Sequence, residues 1–419
     1  MHQLYEANRR LARRAADINR EATAIPEKAL HLLTRPEKRL QRTFCAGGDH
    51  DTPTLVDGFV TCHSTARGLA LCPMYLHPGV TQDDVDKIAE KMVWKTALMG
   101  LPFGGGCIGL RPHSYEKLDQ VRTLVVREFA TVYRSLLASG AVAVMPGYGV
   151  CNKEMGVLSD QIERRDIVAG KPRHQGGLPG FNASRGRGIF AATELAVRAR
   201  FRKGLAGKVC AIYGFGSEGR WTAYFLHSAG AKVVAVGDNI GGLFNVGGLP
   251  VPHLLTGLPR GMPVTGLGGR QLTSDDVLDL DVDVLVITDF QNLFPADRAS
   301  RCRATVVVEG SDDAVSDAAD QQLSARGITV VPDLLATSGD LVAAHLELFS
   351  ARTRTPMTRR NTLSAVDSSF AAAFDRLQRT AQRQQEGYGA AAQTVALESL
   401  VTAHVPVRLA VAQERRKSP

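Results

Sequence analysis

The spacing of apolar residues divides the chain into two regions, and the first of them mixes helices and strands. Apolar residues recur at helical spacing over residues 1–40, Thr81–Leu98 and Glu116–Ser139. Short runs rich in Val, Phe and Cys predict strands between Thr54 and Leu76 and over Ala141–Met145. Thr81 followed by Asp84 resembles a capping box, which favours a helix that begins there.

The second region, from about Gly186, alternates strand-like and helix-like segments. A helix predicted over Gly188–Arg200 is followed by apolar runs that predict strands at Val209–Tyr213, Lys232–Val236, Val282–Ile287, Ala304–Glu309 and Ile328–Val331. Such alternation is typical of a parallel sheet with right-handed crossovers. The tail from Leu363 to Ala412 predicts further helix. The fold class is therefore α/β, with two domains and a C-terminal helical tail.

Composition excludes several classes of protein. Hydrophobic residues make up 44% of the 419 residues and charged residues 22%, so the chain can bury a core and is not a disordered protein. No apolar run reaches the roughly 18 residues of a membrane span, and the charged N-terminus does not resemble a signal peptide. Seven scattered cysteines indicate a reducing cytosol and do not suggest a metal site.

The formal net charge of +8 raises the question of nucleic-acid binding. Much of the excess charge lies near the two ends of the chain, and aromatic residues make up only 6%. A nucleic-acid protein usually carries a basic stripe with interleaved aromatics or a known reading motif, and we identify neither. We therefore expect neither nucleic acid nor membrane as a partner.

A glycine-rich motif at the start of the second region predicts a dinucleotide site. The motif is G-x-G-x-x-G, it follows a predicted strand and precedes a predicted helix, and its residues are Gly214, Phe215, Gly216, Ser217, Glu218 and Gly219. Glycines permit the tight turn and the close approach of pyrophosphate, and the helix N-terminus offers unpaired N–H groups. Asp238 and Asn239, about twenty residues on, follow the next strand. A carboxylate there can bind ribose hydroxyls, which favours NAD while leaving NADP open.

Two motifs carry a resemblance to a known family: Met92–Leu98 followed by Leu101–Gly106 (LPFGGG) in the first region, and Val331–Ala336 (VPDLLA) in the second. With these motifs the chain resembles the glutamate/leucine/phenylalanine/valine dehydrogenase family. Arg187-Gly188, Glu309-Gly310 and the stretch 390–403 also match. The resemblance covers roughly residues 55–405. It implies a homo-oligomer whose members oxidise an α-amino acid to a 2-oxo acid and ammonia, with hydride transfer to nicotinamide.

The resemblance also implies two domains with different roles. Residues 1–187 would form a substrate and oligomerisation domain, with helices from residues 350–419 packing back on it. Residues 188–349 would form the Rossmann domain. Lys95 stands where the family binds the substrate α-carboxylate, close in sequence to Gly104, Gly105 and Gly106. Leu71 replaces a lysine that glutamate enzymes use for the distal carboxylate, so we expect a small carboxylate substrate without one.

Two departures affect the family's acid–base pair. Cys107 stands at the position of the catalytic lysine, directly after the three glycines. When Pro146 and Glu154 are aligned with the family's later motif, Gly149 falls at the position of the catalytic aspartate. The chain therefore resembles a divergent member that lacks both catalytic groups. A cysteine cannot supply the positive charge, although a thiolate can act as a nucleophile and a buried cysteine often simply packs.

Further departures lie near the expected nicotinamide position. Arg185 stands where a threonine commonly contacts the nicotinamide amide, and Thr337 replaces an asparagine. A double glycine that follows in the family is Gly339-Asp340 here. We include Arg185 and Thr337 among the candidate cofactor-binding residues.

Three functions are compatible with this pattern. The first is an NAD(P)-dependent oxidoreductase with non-standard chemistry, in which Cys107 is a nucleophile or shapes a pocket for imine or ketone reduction. The second is ordinary amino-acid dehydrogenation with replacement acid–base groups. The third is a cofactor-binding pseudoenzyme or regulatory partner.

Overall fold

The computed structural model of the protein describes residues 34–47, 53–113, 118–258, 262–266, 270–289 and 294–404. The chain forms two compact units. Of the described residues, the first unit contains those up to Pro179, Ala344–Thr358 and those from Gln393, and the second contains those within Gly180–Ala343 and Arg359–Ala392. The domain boundaries at residues 187/188 and 349/350, and the packing of residues 350–419 on the first domain, stay predictions.

A five-stranded sheet forms the centre of the first unit. Its strands are β1 (Lys38–Ala46), β2 (Thr54–Ser64), β3 (Ala70–Leu76), β4 (Gly104–Pro112) and β5 (Val142–Pro146). They lie in the order β1-β2-β4-β3-β5. The pairs β1/β2 and β2/β4 are antiparallel, whereas β3 is parallel to both β4 and β5. The strands predicted between Thr54 and Leu76 and near Ala141–Met145 are confirmed.

The described residues in the N-terminal part of this unit form four α-helices. They are α1 (Gln82–Leu98), α2 (Leu118–Val132), α3 (Arg134–Ala138) and α4 (Asn152–Ile162). The capping box of α1 is confirmed, because the Thr81 hydroxyl accepts the Asp84 N–H at 3.2 Å and the Asp84 carboxylate accepts the Thr81 N–H at 3.0 Å. Apolar residues of α2, such as Phe129, pack with residues of the sheet, such as Met74, in the main core.

The predicted helix over residues 1–40 falls mainly outside the described residues. Its last three residues were predicted wrongly, because Lys38–Ala46 forms β1. This strand lies at the sheet edge and buries only Phe44 and Ala46, so its sequence carries little apolar alternation.

A seven-stranded sheet forms the centre of the second unit. Its strands are β6 (Val209–Tyr213), β7 (Lys232–Gly237), β8 (Gly242–Phe244), β9 (Arg270–Leu272), β10 (Val284–Ile287), β11 (Val306–Glu309) and β12 (Thr329–Val331). The order is β12-β11-β10-β6-β7-β8-β9. The strands from β12 to β7 are parallel, as predicted, and the antiparallel strands β8 and β9, of which β9 lies at the sheet edge, were not predicted.

The remaining helices begin with a long one that precedes β6. They are α5 (Phe181–Phe201), α6 (Ser217–Ser228), α7 (Val251–Gly257), α8 (Ser274–Leu278), α9 (Ala296–Ala299), α10 (Asp317–Ala325), α11 (Asp333–Ala336), α12 (Gly339–Thr353), α13 (Arg359–Gln384) and α14 (Tyr388–His404). The predicted helix over Gly188–Arg200 lies within α5, and the predicted helical tail corresponds to α13 and α14. Among the described residues, no helix is both long and apolar enough to span a membrane.

Candidate functional site

The glycine-rich turn follows β6 directly and leads into α6. Gly214 has φ of 96°, and a Cβ there would lie 2.7 Å from the Asp289 nitrogen. A Cβ on Gly219 would lie 1.9 Å from the Gly214 carbonyl oxygen. Gly216 differs, because its nearest neighbour would be a carboxylate oxygen of Glu218 at 4.0 Å. The open space at Gly216, beside the first turn of α6, is where a phosphate can approach the backbone.

Side chains of the turn and of the first residues of α6 stabilise the rest of the turn. Phe215 is buried, and the Arg220 guanidinium lies 5.4 Å from its ring centre. Arg220 also donates from Nε to the Phe215 carbonyl oxygen at 3.2 Å. Ser217 is exposed, and Glu218 in the first turn of α6 complements the positive end of that helix. The predicted loop residues are therefore together in one rigid turn.

Asp238 follows β7, as predicted, but its carboxylate is already engaged. One oxygen accepts the N–H groups of Ile240 at 2.9 Å and Gly241 at 3.1 Å, and the other accepts the Val264 N–H at 3.0 Å. A carboxylate has about four acceptor positions, so one is left for a ribose hydroxyl. Asn239 is exposed beside it. Asp238 thus holds its own loop in place as well as offering a ligand contact.

The sequence analysis missed Thr288, which follows β10. Its N–H donates to the Tyr213 carbonyl oxygen at 2.6 Å and its hydroxyl donates to the Gly214 carbonyl oxygen at 2.5 Å. Thr288 therefore joins the ends of two parallel strands at the glycine-rich turn. Its position as the first polar residue after the apolar run Val282–Ile287 was the available signal, since ligands bind at the carboxyl ends of such strands.

Arg185 and Thr337 lie in different environments. Thr337 is fully buried, and its hydroxyl donates to the Asp333 carbonyl oxygen at 2.7 Å, so its polar atom is used within its own helix segment. Arg185, in the second turn of α5, forms an ion pair with Asp340 at the start of α12, with 3.4 Å between Nη1 and Oδ2. The sequence marked Arg185 and Asp340 as separate departures, and the structure brings them together.

In the first unit, the three glycines lie in β4, where Gly105 touches α1 and Gly106 touches the neighbouring strands β2 and β3. A Cβ on Gly105 would lie 2.3 Å from the Val93 nitrogen, and the Thr96 hydroxyl donates to the Gly104 carbonyl oxygen at 3.4 Å. A Cβ on Gly106 would lie 2.5 Å from the Cys72 sulfur. The three glycines do not form a turn, because their backbone is extended and paired within the sheet.

Lys95 and Leu71 lie at the same end of this arrangement. Lys95 belongs to the last turn of α1, near the start of β4, and is 4% exposed. Leu71 is paired with Gly105 in the parallel ladder of β3 and β4 and is fully buried. The predicted substrate residues Lys95, Leu71 and the glycines are therefore neighbours in the fold.

Cys107 is enclosed in an apolar cluster. It has no solvent exposure and packs with Phe59, Val80, Val85 and Ala89. Burial raises the pKa of its thiol well above the ordinary value. This is opposite to the lowered pKa expected of a nucleophile, and the surroundings favour a packing role.

Gly149 lies at the other end of β3. Its φ is 77°, and a Cβ there would lie 2.2 Å from the carbonyl oxygen of Leu76, five residues beyond Leu71 along the strand. The structure therefore does not bring Gly149 into the cluster formed by Lys95, Leu71 and the three glycines. The backbone at this position excludes a side chain such as aspartate.

We expect Cys107 to react slowly with thiol reagents. Alkylation at limiting reagent, followed by peptide mass spectrometry, should label the exposed Cys45 at least about tenfold faster than the buried Cys107, because reaction needs an accessible thiolate. Buried Cys210 provides the reference for a packed thiol. Labelling of Cys107 at the rate of Cys45 would contradict the packing role.

No cluster of three or more His, Cys, Asp or Glu side chains suited to a metal ion is found within the described ranges. All seven cysteines lie in those ranges and are free thiols.

Comparison with known proteins identifies the family. Residues 36–164 match the model of the Glu/Leu/Phe/Val dehydrogenase dimerisation domain, and residues 176–406 match the model of Glutamate/Leucine/Phenylalanine/Valine dehydrogenase. Glutamate dehydrogenase of Thermotoga maritima is 34% identical over 326 residues, covering 75% of this chain and 78% of that protein. NADP-specific glutamate dehydrogenase A1 of Halobacterium salinarum is 30% identical, covering 83% and 85%.

A solved structure is similar over nearly the whole chain. The hetero-hexameric glutamate dehydrogenase from Thermus thermophilus, in its leucine-bound form, superposes with a TM-score of 0.87 and 25% identity, covering 96% of each chain. Together with the two family models, these matches show that the chain belongs to the Glu/Leu/Phe/Val dehydrogenase family.

Proposed function

We propose that the protein is an NAD(P)-binding oxidoreductase of the amino-acid dehydrogenase family that does not carry out ordinary oxidative deamination. The observation that carries this proposal is the contrast between its two units. The turn from Gly214 to Gly219 keeps the backbone geometry that a dinucleotide needs, with open space at Gly216. Asp238 stands beside it, at the end of β7. Positions 107 and 149, in contrast, offer no acid–base pair.

The ligand of the first unit is proposed to be a small α-amino, imino or 2-oxo carboxylate without a distal carboxylate. Lys95 supplies an ammonium group at the end of α1, which suits an α-carboxylate. Leu71 presents an apolar side chain where the resemblance places a lysine in glutamate enzymes. The structurally similar Thermus protein was solved with leucine bound, an amino acid of this class.

The loss of ordinary deamination follows from the surroundings of Cys107 and Gly149. A buried thiol among Phe59, Val80 and Val85 can neither carry a positive charge nor activate water. Gly149 has no side chain to move a proton, and its φ of 77° and the nearby Leu76 carbonyl explain why one is absent. The proposed function is therefore binding of the dinucleotide and of the small carboxylate without this acid–base chemistry.

A second candidate function is that of a regulatory subunit. Cys107 and Gly149 favour this function, because they replace the acid–base pair while the proposed binding residues are retained. The match of residues 36–164 to a dimerisation domain supports assembly into an oligomer. The Thermus relative is a hetero-hexamer, so the partner of this chain would be either a second copy or a catalytically complete relative.

Binding of NADH is the test of the dinucleotide site. Titration followed by NADH fluorescence should show saturable binding, and NADH at about 100 times Kd should stabilise the fold by about 2.7 kcal/mol and raise Tm. Gly216→Ala should weaken binding about tenfold, a loss of about 1.4 kcal/mol, because the added methyl group meets open space in the protein but occupies the approach of pyrophosphate.

Gly204→Ala is the matched control, since a Cβ there also has no neighbour within 4 Å, in a connector of the same unit. It should leave NADH binding and Tm unchanged. Absence of binding of both NADH and NADPH at millimolar concentration would refute the proposed function in both of its forms.

A further inference from the structure

The half of the dinucleotide site beyond the glycine-rich turn can be located from the sheet order. The turn follows β6, and Asp238 follows β7 on one side of it. A dinucleotide lies across the carboxyl ends of the strands at the point where the strand order reverses. Because the adenosine half lies toward β7, the nicotinamide half must lie toward β10 and β11, which follow β6 on the other side.

Helix α5 borders this second half. A Cβ on Gly310, the residue after β11, would lie 2.6 Å from the Thr288 side chain and 3.4 Å from Cδ1 of Ile189 in α5. Arg185 is four residues before Ile189, so the two side chains share one face of the helix. Arg185 therefore lies on α5 about one helical turn from the residue that contacts the carboxyl ends of β10 and β11.

The partner of Arg185 is fixed in the same place by backbone contact. A Cβ on Gly339 would lie 2.0 Å from the Ser184 carbonyl oxygen, and a Cβ on Gly188 would lie 2.9 Å from the Gly339 Cα. The start of α12 thus touches the backbone of α5 without intervening side chains. Asp340 is the next residue after Gly339, so its backbone lies close to α5.

The ion pair itself is half-buried. The side chains of Arg185 and Asp340 are 29% and 15% exposed, and their closest charged atoms are 3.4 Å apart. Partial burial lowers the local dielectric constant, which strengthens the pair relative to one in water. A nicotinamide ring entering this space would have to separate the two charges or pass around them.

From this arrangement, and on the basis of the proposed dinucleotide site, we propose that the Arg185–Asp340 ion pair occupies the nicotinamide end of the site. The chain then recognises the adenosine diphosphate ribose half of the cofactor. The nicotinamide ring contributes little to affinity while the pair is closed.

This inference bears on the choice between the two candidate functions. Hydride transfer requires the nicotinamide ring to be held against the substrate. A chain that binds the adenosine diphosphate ribose half and leaves the ring unheld would serve as a nucleotide-responsive subunit. Opening of the ion pair would be needed before any redox step.

The first experiment uses the unmodified full chain. Dissociation constants of NADH and ADP-ribose are measured by isothermal titration calorimetry, and we expect them to agree within about threefold. Saturation-transfer NMR with bound NADH should show strong transfer to the adenine protons and weak transfer to the nicotinamide protons. NADH that binds ten times more tightly than ADP-ribose, with equal transfer to both rings, would overturn the inference.

The second experiment removes the ion pair with the variant Arg185→Thr/Asp340→Gly. NADH should then bind at least tenfold more tightly, with ADP-ribose binding unchanged and saturation transfer to the nicotinamide protons increased. Arg198→Gln is the matched control, because it removes an exposed ion pair with Glu194 from the same helix. It should change neither dissociation constant.

The outcomes separate this inference from the proposed function. An unchanged ratio of the two constants in the double variant, provided that it melts cooperatively, would overturn the role of the ion pair and leave the dinucleotide site intact. If the double variant does not fold, the inference is tested by the two dissociation constants and the saturation transfer measured on the unmodified chain. Absence of ADP-ribose binding at millimolar concentration would overturn the dinucleotide site and this inference with it.

Discussion

Replacing Glu347 with alanine is expected to lower the free energy of unfolding by about 3–5 kcal/mol, the range for breaking a buried ion pair. Glu347 and Lys171 have fully buried side chains, and 2.8 Å separates Nζ from Oε1. The same carboxylate accepts the backbone N–H groups of Lys171 at 3.1 Å and Leu178 at 3.0 Å. Alanine would leave two buried N–H groups and one buried ammonium group without this acceptor.

Urea unfolding followed by circular dichroism measures the effect. Glu347→Gln, which keeps an acceptor oxygen, should cost less than Glu347→Ala. Arg198→Gln is the control, because its exposed ion pair should contribute no more than about 0.5 kcal/mol. A loss of less than 1 kcal/mol for Glu347→Ala would show that the pair does not hold the 167–178 segment to α12.

The double variant Cys107→Lys/Gly149→Asp, which restores the family's acid–base groups, is expected to destabilise the fold strongly and not to recover deamination. A lysine at position 107 would place an ammonium group among Phe59, Val85 and Ala89, at a cost of several kcal/mol. An aspartate at position 149 would adopt a φ of 77° and bring its Cβ within 2.2 Å of the Leu76 carbonyl. Backbone strain alone costs on the order of 1–3 kcal/mol.

Two matched variants separate these costs. Cys45→Lys places the same charge on an exposed position, and Gly176→Asp has a similar φ of 86° with no neighbour within 4 Å of the Cβ. Both should change Tm by only a few degrees.

The unmodified chain should oxidise glutamate, leucine, valine and phenylalanine about 10²–10⁴-fold or more below typical rates, measured as NADH absorbance. A folded double variant that oxidises any of them would contradict this account.

The fold was largely predictable because its local signals agree with its tertiary structure. Thr81 and Asp84 mark the start of α1, and Val209–Tyr213 with the following glycines mark the first Rossmann strand and turn. The edge strands β1 and β9 were missed because they are largely exposed, which weakens the apolar pattern, and β8 was missed because it has only three residues.

The candidate site was predictable only in part, for a different reason. Sequence spacing identified the dinucleotide turn and Asp238, because those contacts are local. It could not show that Arg185 and Asp340 meet, since 155 residues separate them along the chain. It also could not show that Cys107 faces an apolar cluster, because a strand residue's environment depends on which helix covers that face of the sheet.

The discontinuity of the first unit has a consequence for biosynthesis. Lys171 and Glu347 are 176 positions apart, so at about 5–20 residues per second the lysine leaves the ribosome some 10–35 seconds before its partner is made. During that interval the segment around Lys171 lacks the buried carboxylate that balances its charge, and burial of the ammonium group without that carboxylate is costly. The first part of the chain to be translated is therefore not the first that can finish folding.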